Sequence, residues 1–208
     1  MKLKRKDCLI CDRKTNLHLT ICDDCYNVLV PKKEKVTKGF KYVDEAYSCF
    51  YYSPLVSETL RRYKFGNQRY FYLLFSELIL EKIVSLKLYR KFDVLIPIPL
   101  HKKTLLKRGF NQIDLLTKYL ATNLKKDNCT DVLLKTKFTK EQAMLNSIER
   151  KANLSGAFSI ENKEKIQQKN ILLIDDMITT GTTVEECAKI LKSYGAKTVL
   201  VVSIATTT

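Results

Sequence analysis

Two adjacent acids, Asp175 and Asp176, stand between an unbroken apolar run, Ile171 to Ile174, and a loop of small residues, Thr179, Thr180, Gly181, Thr182 and Thr183. The run is too short for an independent helix and suits a strand buried on both faces of a parallel sheet. Val184, Cys187, Ala188, Ile190 and Leu191 follow at helical spacing, which places the acids and the loop at a strand-to-helix turn. In open α/β sheets ligands bind beyond the carboxyl ends of strands, where the first N–H groups of a helix can receive an anion. Gly181 admits backbone conformations that side chains resist, the threonine hydroxyls add donors, and nothing acidic lies between Met177 and Val184 to repel a phosphate. Asp175 and Asp176 suit sugar hydroxyls, or a Mg²⁺ ion that keeps oxygen ligands and water. The expected ligand carries a phosphate, a diol and a metal.

A second set of chemical groups lies near the N-terminus. Cys8 and Cys11, then Cys22 and Cys25, form two C-x₂-C knuckles around a short loop containing His18. Paired knuckles supply four thiolates for a tetrahedral Zn²⁺ site, with iron or free thiols as the alternatives. A closed four-thiolate site leaves no place for substrate, so its role is folding or contact. Cys49, Cys129 and Cys187 have no neighbours at ligand spacing and read as buried apolar residues.

Cations gather at three further places. Pro97 and Pro99 end a strand in a rigid turn that opens into Leu100, His101, Lys102, Lys103, Lys107, Arg108 and Gly109. Arg108 offers a planar fork of donors and Gly109 a close backbone approach, a pairing suited to pyrophosphate. Lys137, Lys140 and Arg150 lie in a lysine-containing stretch from Thr136 to Ser155 that reads from its residues as a basic surface loop. Arg61, Arg62, Tyr63 and Lys64 interleave cations with an aromatic ring, as nucleic-acid contacts or as a solvated helix face.

The elements that must position these groups are readable in outline. Glu45 to Tyr52 is aromatic and β-prone; Ser53-Pro54 starts a helix through about Tyr63; Gln68 to Leu88 is a long buried helix. Strands are expected at Phe92–Pro97, near Val132–Leu134, near Ala157–Ile160 and at Lys197–Ile204, with a helix from Asn111 to about Asn123. The lysine-rich stretch 31–41 separates an N-terminal zinc ribbon or double zinc-knuckle module at 1–30 from a larger domain at 42–208. The fold class is α/β: a mainly parallel sheet flanked by helices, plus the small four-cysteine module.

The stretch from Ile171 to Thr183 resembles the PRPP-binding motif of type I phosphoribosyltransferases, matching it at every position. Cys8 to Cys25, Tyr63-Lys64-Phe65-Gly66, the run Pro97 to His101 and Arg108 to Gln112 resemble the ComF family associated with bacterial competence. Gln142, Leu145, Arg150, Asn153, Gly156, Ala157 and Phe158 extend that resemblance. It implies a type I phosphoribosyltransferase fold binding phosphoribosyl pyrophosphate (PRPP) with Mg²⁺. It also implies that Asp175 and Asp176 hold the ribose hydroxyls and that Thr179 to Thr183 hold the 5′-phosphate. Leu100, His101, Arg108, Gly109, Lys137, Lys140 and Arg150 would then serve the pyrophosphate, with a flexible loop closing over it.

The chain of 208 residues carries a net charge of +15 with 45% hydrophobic and 28% charged residues, an ordinary soluble balance apart from its charge. The excess of cations favours polyanions, including nucleic acid and anionic membrane surfaces, or serves as a solubilising surface. The basic start Met1 to Lys6 is followed by no apolar segment, so the expected location is cytoplasmic, with peripheral contact at the inner face of the membrane as an option. Three functional readings compete. The first is a phosphoribosyltransferase acting on an unknown acceptor during DNA uptake. The second is a single-stranded DNA-binding accessory protein regulated by PRPP. The third is a zinc-dependent scaffold that docks on the DNA-uptake machinery.

Overall fold

Ile171 and Leu173 are buried on one face of a sheet and Leu172 and Ile174 on the other, so this run has no solvent-facing side. That is why its apolar pattern does not alternate. The computed structural model describes residues 7–14, 21–29, 35–65, 70–139 and 153–207. Lys140, Gln142, Leu145 and Arg150, together with His18 and Gly66, lie outside the described residues.

A short helix α1 (Asp23–Val28) precedes strand β1 (Glu45–Tyr51), helix α2 (Pro54–Phe65) and helix α3 (Phe71–Ser85). Strand β2 (Val94–Pro97), helices α4 (Lys102–Arg108) and α5 (Gln112–Leu124), and the two-residue strand β3 (Asp127–Asn128) follow. Strands β4 (Leu133–Lys135) and β5 (Phe158–Ile160) form an antiparallel hairpin apart from the main sheet. Strand β6 (Asn170–Ile178), helix α6 (Thr182–Ser193) and strand β7 (Thr198–Thr206) complete the chain.

The main sheet has five parallel strands in the order β1-β7-β6-β2-β3. Helix α5 buries Ile113, Leu116 and Leu120 on one face, together with α2 and α3. Helix α6 buries Val184, Cys187, Ala188 and Leu191 on the other, together with the β4–β5 hairpin. The chain winds outward from β2 to β3, then crosses back to β6 and winds the opposite way to β7. The point of reversal lies between β2 and β6, where doubly wound sheets place their ligands.

Proline chemistry opens that crevice. Strands β2 and β6 pair from Val94↔Ile171 to Pro97↔Ile174, and Ile98 N–H donates to the Ile174 carbonyl at 2.9 Å. The two prolines, whose nitrogens face the β3 side, fix the backbone, and β2 ends at Pro97 while β6 continues against β7 as far as Ile178↔Thr206. The acids are thus the sixth and seventh residues of a nine-residue strand and not in the turn after it. The sequence reading ended the strand at Ile174 because the apolar run stops there.

The N-terminal cysteines share the core of the larger unit. Cys8, Leu9, Ile21, Cys25 and Leu29 are buried in one cluster with Tyr47, Cys49 and Phe50 of β1. Tyr26 meets Phe50 edge-on, with ring centroids 6.3 Å apart.

Candidate functional site

Asp175 and Asp176 occupy the exposed end of the β2–β6 crevice, both half-buried. Burial, then the adjacent charge of Asp176, pushes the Asp175 carboxyl up to about 7. Asp176 faces a cation: Lys64 Nζ lies 2.7 Å from its Oδ2, and both side chains retain only about a fifth of their exposure (23% and 22%). The pair is a carboxylate site with one proton readily shared and one charge already countered. Ribose hydroxyls donating to it, or a cation beside it, would favour full ionisation.

Lys64 reaches the acids because two motif residues lock α2 against α5. The Tyr63 hydroxyl donates to the Gln112 carbonyl at 2.6 Å, and Gln112 Nε2 donates to the Lys64 carbonyl at 3.2 Å. Asn111 caps α5, its Oδ1 accepting from Ile113 N–H at 3.1 Å, and its amide donates to the Ile98 carbonyl at 3.3 Å. Tyr63, Asn111 and Gln112 therefore hold the crevice in shape. Tyr63, expected to offer its ring to a base, is 1% exposed and packs against Phe75. Arg61 pairs with Glu58 one turn back, and Arg62 lies 5.1 Å from the Phe71 ring centroid.

The small-residue loop leads directly into α6. Gly181 is buried with φ of 80°, a left-handed value that a side chain resists, and a Cβ there would meet Phe40 Cε1 at 2.5 Å. Thr180 and Thr182 hydroxyls lie 2.9 Å apart, and Thr182 is buried. The end of β7 and the residue after it support the start of the loop, Thr206 Oγ1 donating to the Ile178 carbonyl at 3.0 Å and Thr207 Oγ1 to that of Thr179 at 3.3 Å. Thr179 and Thr183 are half-buried beside them. Such a loop before a helix of twelve residues offers N–H groups and hydroxyls that could receive an anion.

Across the crevice, the stretch after β2 forms a helix that the sequence reading missed, because Thr104, Leu105 and Leu106 interrupt its cations without burying a face. His101 caps α4, its Nδ1 accepting from Lys103 N–H at 3.1 Å. Gly109 closes it at φ of 80°, donating to the Leu105 carbonyl at 2.7 Å, and nothing lies within 4 Å of where its Cβ would stand. Backbone conformation and not crowding therefore accounts for this glycine. Lys102, Lys103 and Lys107 are exposed, and Arg108 is half-buried. Leu100, His101 and Lys135 line a cavity of about 430 Å³ that continues from Pro97, whose register partner Ile174 precedes Asp175. Asp114 lines it too; burial raises its carboxyl to about 6 although the Asn111 amide donates to it at 2.7 Å. Burial lowers the Lys135 ammonium. Neither residue stood out in the sequence, since an acid in a first helical turn and a lysine at a strand end are both ordinary. Lys137 is exposed beyond β4.

The four cysteines come together. Their sulfurs all lie within 4.8 Å of one another, and Cys11 and Cys22 Sγ are 3.7 Å apart. A tetrahedral ion with metal–sulfur bonds of about 2.3 Å needs edges of roughly 3.8 Å, close to the 3.7 Å between Cys11 and Cys22, so the four thiolates could close on a zinc ion. Ile10 N–H points at Cys8 Sγ from 3.4 Å, and Arg13, paired with Asp24 at 2.8 Å, lies beside Cys11.

The Phosphoribosyl transferase domain family matches residues 78–207. Competence protein F of Haemophilus influenzae is 31% identical over 159 residues, covering 74% of this chain and 69% of that protein. DNA utilization protein YhgH of Shigella flexneri is 29% identical, covering 93% of this chain and 87% of that protein. Competence protein ComFC of Bacillus subtilis is 28% identical, covering 90% and 72%.

Proposed function

Because the chain belongs to the phosphoribosyl transferase domain family, with Competence protein F as a relative, we propose that it binds PRPP with Mg²⁺ and acts in DNA uptake or DNA utilisation. One observation carries the reading: the paired acids and the Thr/Gly loop meet at the topological switch point of a parallel sheet. Asp175 and Asp176 accept from the ribose hydroxyls. Thr179 to Thr183 donate to the 5′-phosphate. The pyrophosphate arm extends toward Leu100, His101, Arg108 and Gly109 and the cavity beside them, with Lys137, Lys140 and Arg150 as further cations from the hairpin side.

Half-buried carboxylates beside a lysine fit Mg²⁺ held mainly through water and ligand oxygens, which would offset phosphate charge. The chain's own contribution is orientation and electrostatics at the anomeric carbon. A transferase would displace pyrophosphate there by an incoming acceptor. The cysteine cluster would hold Zn²⁺ as a structural ion in the 1–30 module, joined through the 31–41 connector to the 42–208 domain.

Single-stranded DNA contact fits α4 better than α2. Lys64 is engaged with Asp176 and Tyr63 is in the core, whereas Phe138 is 57% exposed with Lys103 Nζ 5.3 Å from its ring centroid. Cations flanking an exposed ring make a stacking platform for bases. Among the described residues no helix is long and apolar enough to cross a membrane.

Thermal unfolding with and without PRPP and Mg²⁺ tests the binding reading. Ligand at a hundred times its Kd should stabilise the native protein by about 2.7 kcal/mol. No shift at millimolar PRPP would overturn it. Pyrophosphate release with candidate acceptors then separates a transferase from a protein that PRPP regulates.

A further inference from the structure

The connector before β1 is anchored on both sides of Lys38, upstream to β1 and downstream to the first turn of α6. Upstream, Val36 is buried and its N–H donates to the Ala46 carbonyl at 2.8 Å. Downstream, the Glu185 carboxylate accepts from three successive N–H groups, those of Lys41 at 2.7 Å, Tyr42 at 3.0 Å and Val43 at 3.3 Å. Glu185 is in the first turn of α6, so this clasp draws the connector onto the end of the helix that begins at the loop. Between the anchors, the Phe40 ring lies against Gly181, and Lys38 Cδ is 3.5 Å from the position of a Gly181 Cβ.

Charge explains why a lysine belongs there. A phosphate monoester brings about −1.5 to −2 charges at neutral pH. The loop from Thr179 to Thr183 has donors but no cation, and its neighbours Asp175, Asp176 and Glu185 are acids. Lys64 is committed to Asp176 at 2.7 Å. The Lys38 stem lies across the loop glycine, and its ammonium is two bonds beyond the contacting Cδ.

We propose that Lys38, carried by the clasped connector, is a ligand of the 5′-phosphate, so that the segment joining the cysteine module to the domain forms one wall of the PRPP site. This rests on the PRPP reading and adds a residue that the loop motif does not contain. It also gives the N-terminal module a physical link to the substrate: displacing the connector withdraws a phosphate ligand.

Calorimetric titration of ribose 5-phosphate, and separately of magnesium pyrophosphate, into the full-length wild type, Lys38→Met and Lys38→Arg tests it. Loss of one charge-assisted contact should weaken ribose 5-phosphate about tenfold to a hundredfold in Lys38→Met. Lys38→Arg should retain most of the affinity, and pyrophosphate binding should be unchanged in both. Equal ribose 5-phosphate affinity in wild type and Lys38→Met, or equal losses for both ligands, would overturn the assignment while leaving the PRPP site standing. A wild type that takes up neither PRPP nor ribose 5-phosphate would overturn the underlying reading and this one with it.

Discussion

Replacing Asp175 by Asn should make the protein more stable and less able to bind, and the stability gain should depend on pH in a defined way. The Asp175 carboxyl is raised from 3.8 to about 7, by burial and then by the charge of Asp176. A folded-state value above the unfolded one means that the native protein holds a proton more tightly than the unfolded chain. The associated stability is fully present below pH about 4 and is lost as pH rises to about 7. The shift of about three units, at 1.36 kcal/mol each, corresponds to about 4 kcal/mol as an upper value for a half-buried group. Asn is close in shape to the protonated acid and cannot ionise. Urea denaturation of wild type and Asp175→Asn should therefore give similar stabilities near pH 4 and a variant more stable by up to about 4 kcal/mol at pH 8. Parallel pH profiles for the two proteins would refute the reasoning, because they would show that Asp175 ionises in the folded state as readily as in water.

Other consequences are equally direct. Gly181→Ala places a side chain at φ of 80° and against the Phe40 ring, so it should cost about 1–2 kcal/mol for the backbone alone, more for the clash, and weaken PRPP binding. Adding Phe40→Ala should recover the clash but not the backbone cost, and full recovery by calorimetric stability would contradict the strain argument. Cys22→Ser should abolish stoichiometric zinc by atomic absorption and lower the melting temperature, since buried Cys8 and Cys25 share the core with β1. Retention of one tightly held zinc would show that fewer thiolates suffice.

The sheet was legible because burial leaves its mark on composition. Ile171 to Ile174, and Val199 to Val202 within the expected strand Lys197–Ile204, are apolar without alternation, and each became a strand covered on both faces. The cysteine cluster was legible for a different reason, since knuckle spacing fixes sulfur positions almost independently of the surrounding fold. What stayed hidden depended on contacts between distant segments. Nothing local marks Lys64 as the partner of Asp176 in place of a surface cation, because its position comes from the Tyr63–Gln112 lock. Glu185 reads as an ordinary first-turn acid until three connector N–H groups arrive on it from more than a hundred residues upstream. Helix α4 escaped notice because a short exposed helix has no apolar face to reveal its period. The strand length of β6 was underestimated because its polar end is held by backbone pairing with β7, Asp175 with Ser203 and Met177 with Ala205, which side-chain hydrophobicity does not report.

Calorimetric titration of PRPP with Mg²⁺ into the wild type and into the Asp175→Asn/Asp176→Asn double variant tests the central claim most directly. The wild type should bind one PRPP per chain, and the double variant should stay folded and lose binding. Unchanged PRPP affinity in the double variant, or none in either protein, would contradict it.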